Sequence, residues 1–380
     1  MTSRKRGEGE LQSFPLGEKE PKEKESKGEE KESKMAAKAE RKSARIKALI
    51  ISNAAFVVPI LMDKYYVKLA HLDLSFVTPL AEPAALPGLA GFQPIQAYLH
   101  YVAGLRVWQV ANAAAFCVNV WSVSSGGRID SSYADKGGVP PTDEYRSLVT
   151  PSGWAFAIWG VIYLAESVFM VVQMFPFMSE VAWLAEVSPW FIAANVFQSL
   201  WCAAFRDWAR PSSVFWISAA MLTSTALALG GAQAVYTRAG VIAVSSWATF
   251  GLRALVQFPL SLHFGWTTAA AIVNWNSYFA VLYRDKHISL KTQVRAAFGS
   301  IHLAYIGGAA LAVFRGDFLY SLTIAWALRA IEADKGRKAQ GLVDEKTLDR
   351  FAKTAGFGAK LCLGVSACVF ARVCYNFVFP

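Results

Sequence analysis

The chain has 380 residues, 54% of them hydrophobic, with 13 tryptophans, a mean hydropathy of +0.31, a net charge of +10 and an isoelectric point of about 9.3. So much apolar surface excludes an ordinary soluble domain and points to a polytopic, all-α membrane protein. The surplus of base does not describe a nucleic-acid surface, because lysines and arginines stand between apolar runs instead of along one soluble face. Cys117, Cys202, Cys362, Cys368 and Cys374 all lie inside apolar runs, where they act as small buried hydrophobes. Their spacing implies neither a disulfide framework nor a metal site, and no cofactor is expected.

Residues 1–45 form a separate composition, rich in Lys, Glu, Ser and Gly and nearly free of aromatics. Such a segment buries too little apolar surface to fold, so a solvated tail is expected, available to a protein partner. It carries too many acids for a transit peptide and has no leading apolar stretch of the signal-peptide kind. Residues 46–104 add one short apolar segment, Ala48 to Met62, about 22 Å long as a helix. Pro79, Pro83, Pro87 and Pro94 then make an irregular loop of Asp63 to Tyr98.

Eight longer runs follow: Leu105 to Val123, Trp154 to Phe175, Trp190 to Phe205, Val214 to Ala234, Ala254 to Tyr283, Ala296 to Phe314, Phe318 to Ile331 and Phe357 to Val378. Counting Ala48 to Met62 gives nine candidate crossings, or eight if the first does not span. Pro259, close to the start of its run, predicts a kink or an interfacial first turn. With nine crossings, the alternate loops that share a side with the tail hold most of the Arg and Lys, which places the tail on the cytoplasmic side of a membrane the sequence does not identify.

The most informative run begins at Pro151, a residue suited to a first helical turn because its missing N–H has no partner there. Trp159, Tyr163 and Glu166 then recur on one helical face. A carboxylate at bilayer depth is tolerated when it looks into the bundle or a wet cavity, so Glu166 is expected to point inward with the two aromatics beside it. Two readings stay open for this face, a packed aromatic seam with a paired structural acid, and a ligand pocket with aromatic walls and one polar anchor. His263 and Arg253 are the candidates to face Glu166 across the bundle. Asn112, Asn119, Asn195, Asn274 and Asn276 are expected to bond between helices.

Three signatures over Leu105 to Tyr283 resemble the translocator protein (TspO) family, the tryptophan-rich sensory proteins, in a larger and divergent branch. They are Pro151, Trp154, Phe156, Trp159 and Tyr163; Gln198-Ser199-Leu200-Trp201 followed by Phe205; and Pro259, Trp266 and Asn274. The resemblance implies a five-helix core over 105–283 with about four added helices, one before it and three after it in 284–380. It implies a flat hydrophobic ligand, a tetrapyrrole or a sterol, held by Trp154, Trp159, Tyr163, Glu166, Trp201, Trp266 and Asn274. The loop Ser124 to Val149 would cover the pocket mouth.

Val273, Tyr278 and Arg284 also fit the loose cholesterol-contact pattern, although a Tyr and an Arg at a helix end serve equally as interfacial anchors. Small residues such as Gly230 and Gly231 are candidates for close packing between copies, as in a homodimer. No catalytic motif is present, so binding and trafficking of the ligand is the expected activity and an enzyme is not. Two alternatives stay open: an assembly protein that keeps the fold without a ligand, and a membrane enzyme that alters the ligand it binds.

Overall fold

The computed structural model describes residues 104–129, 147–175, 178–179, 181–238, 247–336, 339 and 341–378, all within one compact unit. The charged tail, the segment Ala48 to Met62, the proline-rich loop and the middle of the Ser124 to Val149 loop lie outside the described residues. Eight α-helices account for nearly all of the described part: α1 Val107–Ser124, α2 Ile158–Gln173, α3 Ala182–Ala204, α4 Ser212–Arg238, α5 Trp247–Arg284, α6 Leu290–Arg315, α7 Phe318–Asp334 and α8 Glu345–Val378. The described residues contain no strand.

Each of the eight expected runs is a helix, yet four begin earlier than their apolar residues suggest. Helix α3 starts at Ala182 and carries Pro189 inside it, α5 starts at Trp247 and carries Pro259 well inside, α6 starts at Leu290 and α8 at Glu345. The added turns are more polar than the runs, so hydropathy alone ends the segment too soon, whereas capping chemistry marks two of the true starts. Ser289 accepts from the Thr292 N–H at 3.2 Å and Asp344 from the Thr347 N–H at 2.6 Å. Hydrogen bonds from the Thr347 side chain and from its N–H hold the Asp344 carboxyl below the usual carboxylate range. A lowered carboxyl adds stability above its unfolded pKa and loses it as pH falls through the folded one. At the far ends, Gly316 (φ 64°) and Lys335 (φ 52°) stop α6 and α7 in the left-handed region.

The first five helices close a ring in which α1 packs on α3, α3 on α4, α4 on α5, α5 on α2 and α2 back on α1. Helix α5 is the shared wall, because α6 and α7 pack on it too, and α8 packs on both of those. Four helical stretches are long and apolar enough to cross a membrane: Gly153–Gln173, Ser212–Thr237, Leu290–Arg315 and Glu345–Asn376. Leu164, Val171, Leu227, Leu303, Phe314 and Leu363 stand exposed on these stretches, the pattern of faces turned to hydrocarbon. Helix α1 escapes that description because Gln109, Asn112 and Asn119 form a buried polar stripe on it. Asn112 donates to Gln173 Oε1 at 3.0 Å and to Ser188 at 2.9 Å, so these amides stitch three helices together.

Glycines set the closest approaches. A Cβ on Gly231 would lie 2.5 Å from the Trp190 ring, and one on Gly230 would lie 3.2 Å from Phe264. These two glycines are therefore used within the chain, at the α4–α3 and α4–α5 contacts, and not on an outward face. At Gly265 the neighbours are Thr323 Cβ at 2.7 Å and the Tyr320 carbonyl oxygen at 3.1 Å, so α5 meets α7 there with no room for a methyl group. Gly265→Ala should therefore cost about 1–3 kcal/mol. Thermal unfolding of the purified chain in detergent, with exposed Gly299→Ala as the neutral reference, reads this out, and an unchanged midpoint for Gly265→Ala would contradict the contact.

Candidate functional site

Helix α2 is entered through a 3-10 turn, Gly153–Ala157, whose approach is docked on α7: the Ser152 N–H donates to the Ala330 carbonyl at 3.1 Å. Trp154 stands five residues before Trp159, about 140° away around a helix, so it leaves the face of Trp159, Tyr163 and Glu166 whichever helical type the turn adopts. Trp154 is 44% exposed and packs edge-on against Trp326 of α7 at 4.7 Å, away from the other predicted ligand contacts. Past the turn the regular helical period takes over. Trp159 and Tyr163 stack at 5.4 Å, and Glu166 follows on the same face, fully buried.

Helix α5 supplies the opposite side. His263 Nδ1 lies 2.7 Å from Glu166 Oε1, with both side chains closed to solvent. Of the two residues expected to face Glu166, His263 does so; the Arg253 side chain lies outside the described residues. One turn on, Trp266 meets Trp159 at 6.2 Å and Phe156 at 5.6 Å, both edge to face, and the His263 ring meets Trp159 at 5.7 Å. Trp159 is thus the centre of an aromatic box whose floor is the Glu166–His263 pair.

That floor is polar and incompletely bonded. Glu166 Oε2, His263 Nε2 and Trp266 Nε1 are all buried and have no hydrogen-bond partner among the described residues. A buried polar group without a partner costs about 1–3 kcal/mol, so three on neighbouring side chains are a concentrated expense for a fold to carry. On the remaining side of the box Gln198 of α3 donates to the Tyr163 hydroxyl at 2.9 Å and accepts from Asn119 at 3.0 Å, which donates also to Asn195 at 2.9 Å, while Asn119 Oδ1 has no partner among the described residues.

Trp201 and Asn274 form a second group, toward the other end of α5. Trp201 donates to Asn274 Oδ1 at 3.4 Å, Ser218 donates to the same oxygen at 3.2 Å, and Asn274 donates back to the Ala270 carbonyl at 3.1 Å. Phe205 stacks on Trp201 at 5.5 Å, and the Arg128 guanidinium lies 5.6 Å from its ring centre. Arg128 belongs to the described start of the loop that was expected to act as a lid. Beside it Ile129 is buried, and its N–H donates to the Phe205 carbonyl at 3.0 Å, which fixes this end of the loop at the close of α3.

The sterol-pattern residues do not converge. Val273 packs against the large core cluster, Tyr278 against Ile129, Phe215 and Val281, and Arg284 bonds to Asp285 at 2.8 Å and to the Arg210 carbonyl at 3.3 Å. The Arg284 hydrogen bond holds the Asp285 carboxyl below its usual range.

A family model described as TSPO-like protein matches residues 108–356, well over half of the chain. The chain belongs to the TSPO-like family. The matched region runs from α1 through α7 and into the first turns of α8, so it takes in both aromatic groups of this TSPO-like chain and the Glu166–His263 pair. No curated protein and no solved structure matches it. With the family and its four membrane-length apolar stretches, this TSPO-like protein is an all-α, polytopic integral membrane protein.

Sequence reasoning did not place Gln198, Asn119 and Ser218 in the site, and it named His263 only as one of two candidates. Gln198 stands in one of the family signatures and Asn119 among the expected interhelical amides, but each reaches the site by helix pairing across tens of residues, which the local pattern does not specify.

Proposed function

We propose that this TSPO-like membrane protein binds a flat hydrophobic ligand, of the tetrapyrrole or sterol kind, between α2 and α5 and passes it within or between membranes. One observation carries the reading: three buried polar atoms without partners sit on the floor of a box walled by Phe156, Trp159, Tyr163 and Trp266. Indole and phenol faces supply broad apolar contact for a planar molecule, and a few fixed polar atoms orient it. Phe156, Trp159 and Tyr163 are the more accessible members, whereas Glu166, His263 and Trp266 lie closed behind them. A ligand therefore reaches the floor by displacing or sliding along the stacked pair.

Quenching of tryptophan fluorescence by protoporphyrin IX tests this. Saturable quenching is expected for the wild type. Trp159→Ala should bind at least about tenfold more weakly, given 0.5–1.5 kcal/mol for each lost aromatic pairing plus the lost contact area. Undiminished affinity in a folded Trp159→Ala protein would remove the box from the account.

A further inference from the structure

We propose that the Glu166–His263–Trp266 floor selects a ligand bearing a hydroxyl group, in preference to one bearing a carbonyl or carboxylate at the same end. The inference rests on the ligand site proposed above and concerns the polar end of that ligand.

The hydrogen-bonding inventory of the floor sets the requirement. Glu166 Oε1 is taken by His263 Nδ1 at 2.7 Å, and an imidazole N–H held by a carboxylate is the ordinary arrangement for such a pair. His263 Nε2, whose ring proton sits on Nδ1 toward Glu166, is one buried acceptor, and Glu166 Oε2, the remaining carboxylate oxygen, is a second, able only to accept. Trp266 Nε1 is its complement, a buried N–H able only to donate. Both belong to side chains gathered about Trp159: the Trp266 ring lies 6.2 Å from it, and the His263 ring that holds Glu166 lies 5.7 Å from it.

A hydroxyl is the smallest group that donates and accepts at once. Its proton suits Glu166 Oε2 and its oxygen suits the Trp266 N–H. A ketone accepts from Trp266 but sets a second acceptor against the carboxylate. An ionised carboxylate on the ligand sets charge against like charge in a region with little water to screen it.

Cholestanol and cholestanone share one ring skeleton and differ in the polar group alone, and in tritiated form they test the inference on the full chain in lipid nanodiscs. The wild type should bind cholestanol about tenfold more tightly than cholestanone, the discrimination of one hydrogen bond to a charged group. In Glu166→Gln the amide keeps an oxygen for His263 and turns an NH2 group toward the ligand, so the preference should vanish or reverse toward the ketone. Trp266→Phe should weaken both probes.

Equal affinities for the two probes in the wild type, or a preference unchanged in Glu166→Gln, would overturn the hydroxyl selection while leaving the ligand site in place. If neither probe binds, the hydroxyl selection falls. Protoporphyrin quenching on the same samples then shows whether the ligand site falls with it.

Discussion

Replacing His263 with leucine is expected to destabilise the bundle by about 3–5 kcal/mol, because it leaves the Glu166 carboxylate buried with no protein partner. The pair bridges α2 and α5 with both side chains closed to solvent, so water cannot take over the lost bond without opening the helices. Exchanging both residues, Glu166→Leu with His263→Leu, removes the stranded charge together with its partner. The double variant should unfold near the wild-type midpoint or above it, since a buried acid–imidazole pair and a well-packed apolar pair are of comparable stability. Thermal unfolding in detergent compares the three proteins. Equal losses in the single and double variants would mean that shape at this contact, and not the charge, is what α2 and α5 require.

A second large loss is expected for Asp317→Ala. Asp317 is fully buried in the turn between α6 and α7, and its carboxylate gathers groups from three helices. Ser261 of α5 donates at 2.6 Å, Tyr236 of α4 at 3.4 Å, Gln233 of α4 donates as well, and the Tyr320 N–H of the first turn of α7 donates at 3.2 Å. Alanine removes a helix cap, worth about 1 kcal/mol, and strands buried donors at about 1–3 kcal/mol each. The Tyr236 and Ser261 hydroxyls lie 3.1 Å apart and can still serve each other, so the expected total is about 3 kcal/mol instead of the full sum. Asp317→Asn keeps an acceptor and should lose less. Hydrogen exchange at the first turn of α7 should speed up with the loss of midpoint, and unchanged exchange there would show that the cap does not hold this junction.

Much of the architecture is legible in the sequence, for a physical reason: in a membrane bundle a long apolar run has one way to satisfy its backbone, and each such run among the described residues is a helix. The face made by Trp159, Tyr163 and Glu166 follows from the helical period alone, whereas the resemblance names Trp201 and Asn274 singly and their hydrogen bond is seen only once α3 and α5 are placed. Trp154 enters the expected ligand set through the family resemblance alone, and the helical period already sets it about 140° from Trp159, which is where it packs on Trp326 instead. His263 is visible as a polar residue in an apolar run, but its partner depends on which helices pair and how each is rotated. Asp317 reads as an ordinary loop acid between two runs, and its burial becomes evident only when α4, α5 and α7 are seen to meet over it. Hydropathy also places the starts of α6 and α8 too late, although Ser289 and Asp344 carry the capping signal for both.

The most direct test of the ligand site is photo-crosslinking of the full chain in nanodiscs with a photoactivatable sterol, followed by mass-spectrometric mapping of the labelled peptides. The account predicts label concentrated on the peptides around Trp159 to Glu166 and His263 to Asn274, competed away by unlabelled ligand. Label spread over the outward faces of α6 and α8, at Leu303, Phe314 and Leu363, and insensitive to competition would contradict it, and would make the contact that of bulk lipid with a hydrophobic surface.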